Sequence, residues 1–494
     1  MLDRPARLSA DAPAKARAAR GPFRPEVWLN ARERSAVRLS AHYFRLIDVI
    51  AVIGLTLAVA LITRLAPFEH LTLAQVAPLA AAAVSILGLL RAFQLYRFGR
   101  ETSWALHMAG VVASCLSAAG IGLLAGLAFG TADWARIAIW TVTMLVGLGL
   151  LHGAWLAVIA RWRRQGALSS NIVVVGATCH AQALIERALE RRDMNVLGVF
   201  DDRLARSPAN VAGVPVLGDA NALLTHRITP YVDRIVLAID PDAGQRVRDL
   251  TQRLQALPNP LTVLVDAERG RDDVLDRLAN APLASLSGPT DPDRRAFNKR
   301  MQDLLIGAAA LVVAAPIMAV VALAVRLDSP GPVFFRQSRH GFNHETIVVW
   351  KFRSMRHDSA DATASRQVCC DDDRVTRVGR FIRATSLDEL PQIFNVLSGE
   401  MSLVGPRPHA IGMKTGETES ALLVAEYAHR CRIKPGMTGW AAIKGSRGPV
   451  DTEAQVRERV QLDIEYVERQ SLWLDLWIML ITVPVLLGDR AAVR

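Results

Sequence analysis

Four long apolar runs, at about 46–65, 73–91, 105–129 and 136–160, fill the first third of the chain. Each is near or above the roughly 20 residues a helix needs to cross a bilayer. They are rich in Gly and Ala, which suits helices packed closely in lipid. Trp104, Trp134 and Trp155 lie near the ends of these runs, where interfacial aromatics gather. The pattern then changes. NIVVVGA (171–177) is a short continuous apolar run ending in a turn, and AQALIERALERR after it has helical spacing. LGVFDD, DRIVLAI and LTVLVD predict further strands between helical patterns, so this region is expected to form a parallel α/β sheet of Rossmann type. A fifth apolar run, LLIGAAALVVAAPIMAVVALAV (304–325), is long enough to span but carries Pro316 near its middle. A missing N–H and a ring clash predict a kink or break there. The apolar stretch 472–487 is short and interrupted by Asp475, which reads as an interfacial or packed helix rather than another span.

Composition and charge extend this picture. Of 494 residues 51% are hydrophobic, yet 21% are charged and the net charge is +11. Basic soluble parts joined to a membrane part fit that balance, with anions as partners. Residues 1–45 hold nine arginines and no apolar segment resembling a signal peptide, so they read as a basic arm. Arg91, Arg97 and Arg100 border or occupy the loop after the second run, and Arg161, Arg163 and Arg164 end the fourth. The loops 66–72 and 130–135 contain no Lys or Arg. Positive charge marks the cytoplasmic side, so the N-terminus and everything after 161 are expected there. Lys299, Arg300 and Arg326 flank the fifth run on both sides, which favours a re-entrant hairpin entering and leaving on one face over an ordinary kinked transmembrane helix that would place the last third outside. The five cysteines have no metal or disulfide spacing, consistent with a reducing compartment.

The expected organisation is a basic arm (1–45), a four-helix transmembrane domain (46–165), a Rossmann-like cytoplasmic domain (166–290) and a catalytic domain (297–494) with the re-entrant segment 304–325. In the Rossmann-like part the phosphate-binding fingerprint is incomplete. Gly176 is followed by Ala177, Thr178, Cys179 and His180 instead of further glycines, leaving nucleotide binding, regulation and packing all open. In the last third, Ser386 and Glu389 have capping-box spacing, and acidic residues suit a helix N-terminus. The carboxylate of Asp388 or Glu389 could equally attack phosphorus and form an acyl phosphate. Spacing alone does not choose. Asp371–Asp373 reads as a solvated acidic loop, and His340, His357 and His409 have no metal-ligand spacing.

The motifs of this region occur in the order PGPVFFRQSRHG, VVWKFRSM, DDDRVTRVGRFIRATSLDELPQIFNVLSGEMSLVGPRP and RIKPGMTGW. From about 297 to 488 the chain resembles the bacterial sugar transferase family, the polyprenyl-phosphate hexose-1-phosphate transferases. Four spans and a Rossmann-like domain ahead of this region resemble the large members of that family. The tail GSRGPVDTEAQVRERVQLDIEYVERQSLWLDL resembles its undecaprenyl-phosphate glucose phosphotransferases. The resemblance implies a UDP-sugar and undecaprenyl phosphate as substrates, with UMP as leaving group. It implies Asp388 as nucleophile on the β-phosphate and Glu389 as the partner carboxylate helping to hold Mg²⁺. It also places Arg383 and Arg407 near the transferred phosphate, and Arg407 sits between Pro406 and Pro408, where a stiff backbone presents its planar fork. Lys351 and Arg353 are further candidates for phosphate, or for the membrane surface. The family's Trp-Ala-Gln-Val-Asn-Gly stretch is here Trp440-Ala441-Ala442-Ile443-Lys444-Gly445, which bears on sugar selectivity more than on catalysis.

The expected reaction is therefore hexose-1-phosphate transfer at the bacterial inner membrane, opening exopolysaccharide or capsule synthesis. Glucose is the favoured sugar and galactose the alternative. Inner-membrane lipid is an expected partner and nucleic acid is not, while a homo-oligomer is left open by the sequence. A membrane nucleotide-sugar dehydratase is a competing class, but none of the five tyrosines is followed four residues later by lysine. A non-catalytic assembly scaffold is the third reading, against which the intact Asp388-Glu389 pair speaks.

Overall fold

The computed structural model describes residues 37, 39–63, 72–96, 103–164, 168–191, 194–203, 207–239, 244–254, 256–263, 292–356, 374–415, 418–420, 423–446, 448, 450 and 452–488. Most of the basic arm, Asp371–Asp373 and His357 lie outside the described residues. The chain divides into two compact units, one formed by residues 35–168 and the other containing 169–494.

The first unit is built from α1 (Ser40–Ile62), α2 (Leu73–Ala92), α3 (Trp104–Ala128) and α4 (Trp134–Arg164). All four are long and apolar enough to cross a membrane. Val52, Ile86, Leu90, Trp140, Met144 and Leu148 form its interior, while Leu61, Val84, Leu106, Leu124 and Leu150 point outward. Helices apolar on all sides need lipid or protein around them. One polar cluster is buried inside. The Tyr96 hydroxyl donates to Asp48 Oδ2 at 2.5 Å, His152 Nε2 lies 3.3 Å from the same oxygen, and His107 Nε2 meets His152 Nδ1 at 3.0 Å.

The second unit begins with an α/β part: β1 (Ser170–Val175), α5 (Cys179–Arg191), β2 (Met194–Phe200), β3 (Asn210–Val211), β4 (Val214–Gly218), α6 (Ala220–Thr225), β5 (Arg234–Leu237), α7 (Gly244–Leu254) and β6 (Leu261–Val263). The sheet order is β3-β4-β2-β1-β5-β6, parallel except for the β3–β4 pair. Val, Ile and Leu alternate to its two faces and fill two separate cores. Strand order reverses between β1 and β5, the place where such sheets bind ligands at their carboxyl ends. Gly176 stands there with φ +107°, and a Cβ on it would lie 2.7 Å from the Ala238 carbonyl oxygen. The neighbouring Ala177 N–H donates to Asp201 Oδ2 at 2.7 Å, and Arg246 also reaches this carboxylate at 3.3 Å. Burial pushes the Asp201 pKa up, but the Ala177 amide and the amide, side chain and charge of Arg203 outweigh it and hold the group below the usual range. The loop amide beside the glycine is thus turned to an internal carboxylate.

Next comes α8 (Pro292–Asp328), a helix of 37 residues that runs on through Pro316. The break expected at Pro316 does not interrupt it, although Val312 there loses its usual i+4 donor. Both ends of α8 bond to the same domain. Arg300 donates to the carbonyls of Val396 (2.6 Å) and Leu397 (2.7 Å), and Asp303 accepts from Ser402 Oγ and Leu403 N at 3.0 Å each. At the far end Asp328 accepts from Val378 N at 3.2 Å. Ala314, Met318, Val321 and Val325 pack on Phe352, Ile382 and Ile393, while Val312, Val313, Val320 and Leu323 are exposed.

The remainder folds as β7 (Phe334–His340), β8 (Thr346–Phe352), α9 (Arg377–Ala384), α10 (Gln392–Ser398), β9 (Ser402–Val404), β10 (Gly436–Thr438), α11 (Trp440–Ile443), α12 (Glu453–Arg469) and α13 (Leu472–Gly488). β7 and β8 form an antiparallel hairpin and β9 pairs with β10 in parallel. In α13 the buried Asp475 meets Lys299 Nζ at 2.7 Å and the Tyr466 hydroxyl at 2.6 Å. Trp473, Trp477 and Leu480 are exposed on the same helix.

Candidate active site

Helix α9 ends at Ala384, and two residues later Ser386 takes a left-handed conformation (φ +58°) that turns the chain sharply. A 3-10 turn, Leu387–Glu389, follows and runs into α10. The capping box that the Ser386–Glu389 spacing suggests does not form. Ser386 makes no side-chain cap, and the Glu389 carboxylate is engaged elsewhere. The turn instead directs two adjacent carboxylates toward the cations of two other elements.

Lys351 from β8 places Nζ 2.7 Å from Glu389 Oε1 and 3.8 Å from Asp388 Oδ2. Arg407 contacts both Glu389 oxygens, Nη2 to Oε1 at 2.6 Å and Nη1 to Oε2 at 3.4 Å. The two acids consequently differ. Burial pushes the Asp388 pKa up, and Lys351, Arg383 and Arg407 only partly offset it. For Glu389 burial acts in the same direction, but Arg407 and Lys351 outweigh it and hold its carboxyl well below the usual range. The Arg407 pKa is raised chiefly by Glu389. Glu389, its ionised form favoured by Arg407 and Lys351, holds two cations beside an acid that is less fully neutralised.

The segment carrying Arg407 is fixed at every carbonyl from 406 to 409. Pro406 O accepts from Gly436 N at 2.9 Å, Arg407 O from Arg430 Nη2 at 2.7 Å, Pro408 O from Arg339 Nη1 at 2.5 Å and His409 O from His340 N at 3.1 Å. Gly436 is required by the close approach of the chains, since a Cβ on it would lie 2.1 Å from Gly405 N. Arg430 is buried, pairs with Asp463 from α12 at 2.7 Å, and places Nη1 2.7 Å from His409 Nδ1. Burial and the Arg407 charge lower the Arg339 pKa to about 10, with Glu389 and Asp388 acting in opposition. Sequence spacing does not reveal Arg339 and Arg430, which meet the 406–409 segment through tertiary contacts, or Asp463, which pairs with Arg430.

Of the residues the sequence nominates, the fold gathers Lys351, Asp388, Glu389 and Arg407. Arg383, in the last turn of α9, acts on Asp388 through its charge. Arg353 is not brought to the cluster. It is buried and donates to the carbonyls of Val325, Ser329 and Pro330, capping the C-terminal end of α8. Pro316 lies within α8, among the residues of its lipid-suited stretch. Among the described residues no three His, Cys, Asp or Glu side chains converge as a metal site. The oxygen donors near Arg407 are the carboxylates of Asp388 and Glu389, and both Glu389 oxygens already hold cations.

Residues 294–489 match the family described as bacterial sugar transferase, and residues 91–263 match one described as a CoA-binding domain. The chain is 35% identical over 369 residues to the UDP-glucose:undecaprenyl-phosphate glucose-1-phosphate transferase of Xanthomonas campestris pv. campestris, spanning 72% of this chain and 74% of that one. It is 37% identical over 361 residues to the undecaprenyl-phosphate glucose phosphotransferase of Komagataeibacter xylinus, spanning 72% of this chain and 65% of the relative. The exopolysaccharide production protein PSS of Rhizobium leguminosarum bv. phaseoli is 48% identical over 185 residues, 37% of this chain and 92% of its own length.

Proposed function

The chain belongs to the bacterial sugar transferase family, and from that premise we propose that it transfers glucose-1-phosphate from UDP-glucose to undecaprenyl phosphate. The observation that carries the reading is the Asp388-Glu389 turn, held against Lys351 and Arg407 inside the matched region. An Asp388 carboxylate oxygen attacks the β-phosphorus of the sugar nucleotide. The bond to the bridging oxygen breaks and its electron pair leaves with UMP. A phosphate oxygen of undecaprenyl phosphate then attacks the phosphorus of the acyl phosphate, the bond to Asp388 breaks and the carboxylate is restored. Both steps bring anions together, which Lys351, Arg383 and Arg407 would offset.

Mg²⁺ fits this donor set only as an ion held partly by protein, since it commonly takes one or two carboxylates and completes its shell with phosphate oxygens and water. Asp388 and Glu389 are the residues that would hold it, and it would add positive charge at the diphosphate.

The proposed setting is the inner membrane, with α1–α4 crossing it and both the N-terminus and the catalytic domain cytoplasmic. The arginines flanking the runs support this orientation. For α8 we favour a placement that keeps both of its ends on one face of the membrane. Its two ends bond to one domain, one of its faces packs on that domain, and the opposite face is apolar and exposed.

The test follows UMP release by purified full-length protein from UDP-glucose and undecaprenyl phosphate. Wild type should release UMP and Asp388→Asn should not. Normal turnover by the Asn variant would exclude the covalent route, and release only with another UDP-sugar would reassign the donor.

A further inference from the structure

The β7–β8 hairpin ends in a loop that touches two domains at once. On the catalytic side, Arg339 and the His340 amide hold the carbonyls of Pro408 and His409. Three residues further on, Asn343 reaches the α/β part with its side chain. It takes a left-handed conformation (φ +52°), one that asparagine tolerates better than most side chains, and is buried. Its amide donates to the carbonyls of Pro230 and Val232 at 3.1 Å each, and its Oδ1 accepts from Asn259 Nδ2 at 2.9 Å. Asn259 Nδ2 in turn donates to Val232 O at 2.7 Å. These partners lie just before β5 and β6, at the amino-terminal edge of the α/β sheet, opposite the crevice beside Gly176.

A buried amide with both its donor and acceptor sides occupied across a domain boundary is costly to leave half-made. It therefore fixes the loop to the sheet edge as a specific joint, where an apolar contact could slide. Loop residues 339–343 link this joint to the Arg407 segment, since Arg339 and the His340 amide hold the carbonyls of Pro408 and His409. Arg407 is the cation whose aim at Glu389 depends on the 406–409 backbone.

We propose that Asn343 is a positioning residue for the transfer reaction. By anchoring the hairpin loop to the α/β domain it sets the 406–409 segment and so the direction of Arg407, making the α/β domain part of the active-site scaffold. The inference rests on the reading of Arg407 as a phosphate-facing group.

The experiment uses the full-length protein with UDP-glucose and undecaprenyl phosphate. Asn343→Gly keeps the left-handed backbone and removes the joint, and Asn259→Ala removes it from the α/β side. Each should lower UMP release roughly ten- to hundredfold, the range expected for small misplacements of a positioned group. The double variant should be no worse than the more severe single one, because both break one link. Hydrogen exchange at the amides of His340 and Gly436 should quicken in both. The deciding arm is an Arg407→Lys background, in which Asn343→Gly should cost much less than in wild type. An equal cost in both backgrounds would overturn the proposal, as would wild-type rates and exchange in the two single variants. If Arg407→Lys itself turned over normally, the reading of the site would fail first, and the arms would tell these failures apart.

Discussion

Arg407 and Glu389 meet at 2.6 Å, whereas Asp388, one residue earlier, has Lys351 no nearer than 3.8 Å. Adjacent carboxylates on one turn thus receive different treatment. Glu389 is paired with two cations, Lys351 and Arg407, which favour its ionised form. Asp388 is buried with weaker compensation, which leaves an oxygen poorly solvated and less firmly paired. Acids pushed apart in this way commonly take separate roles.

The first consequence concerns pH. Burial raises the Asp388 pKa and Lys351 acts to lower it, while attack on phosphorus needs the ionised form. The kcat/KM profile should therefore fall on the acid side through an apparent pKa above the ordinary aspartate value of about 3.9. Lys351→Met removes a lowering influence, so the acid limb should move to higher pH. A limb that stayed in place, or moved down, would contradict the assignment of that titration to Asp388.

Arg407 should matter to rate more than to folding. Its side chain is one-third exposed, at 33%, so truncation opens no large cavity. Removing one charge-stabilising donor typically costs about 10²–10³ in kcat. Arg407→Ala is expected in that range, with Arg407→Lys recovering little because a point charge cannot reproduce the fork. Steady-state UMP release beside a melting curve separates the effects, and a variant that melted early with normal kcat would reverse the conclusion.

Much of this architecture is legible in the chain because it is periodic or local. The four apolar runs coincide with α1–α4, NIVVV with β1, and the TSLDELPQ segment with a turn bearing both carboxylates. What stayed hidden depends on contacts far apart in sequence. Arg339 reaches Pro408 across 69 positions and Arg430 reaches Arg407 across 23, and no spacing rule announces either. Charge also misleads when a helix end needs donors. Arg353 looks like a phosphate ligand in KFRSM, yet the last carbonyls of α8 and the turn after it claim its guanidinium. Capping-box spacing at Ser386 failed for a related reason, since tertiary cations offered Glu389 a stronger partner than a backbone amide.

Arg353 accordingly carries a stability prediction. Arg353→Ala takes the charged donor from the buried Val325 carbonyl and from the partly exposed carbonyls of Ser329 and Pro330, at a cost of about 1.5–3 kcal/mol. The melting temperature should drop while KM for UDP-glucose stays near wild type. A large rise in KM at an unchanged melting temperature would return Arg353 to the phosphate.

In the helical unit, Asp48 is the buried acceptor on which Tyr96 and His152 converge from other parts of the bundle. Ionisable groups inside such a bundle are costly unless paired, and removing the shared acceptor strands both partners. Asp48→Ala should therefore destabilise this unit by about 1–3 kcal/mol, with Asp48→Asn milder because its carbonyl still accepts from Tyr96. Thermal unfolding in detergent reads the loss. UMP release per folded molecule should remain at the wild-type level, because Asp48 belongs to the bundle interior and not to the Asp388 cluster. A variant that kept its melting temperature but lost turnover would instead make the Asp48 network part of the reaction cycle.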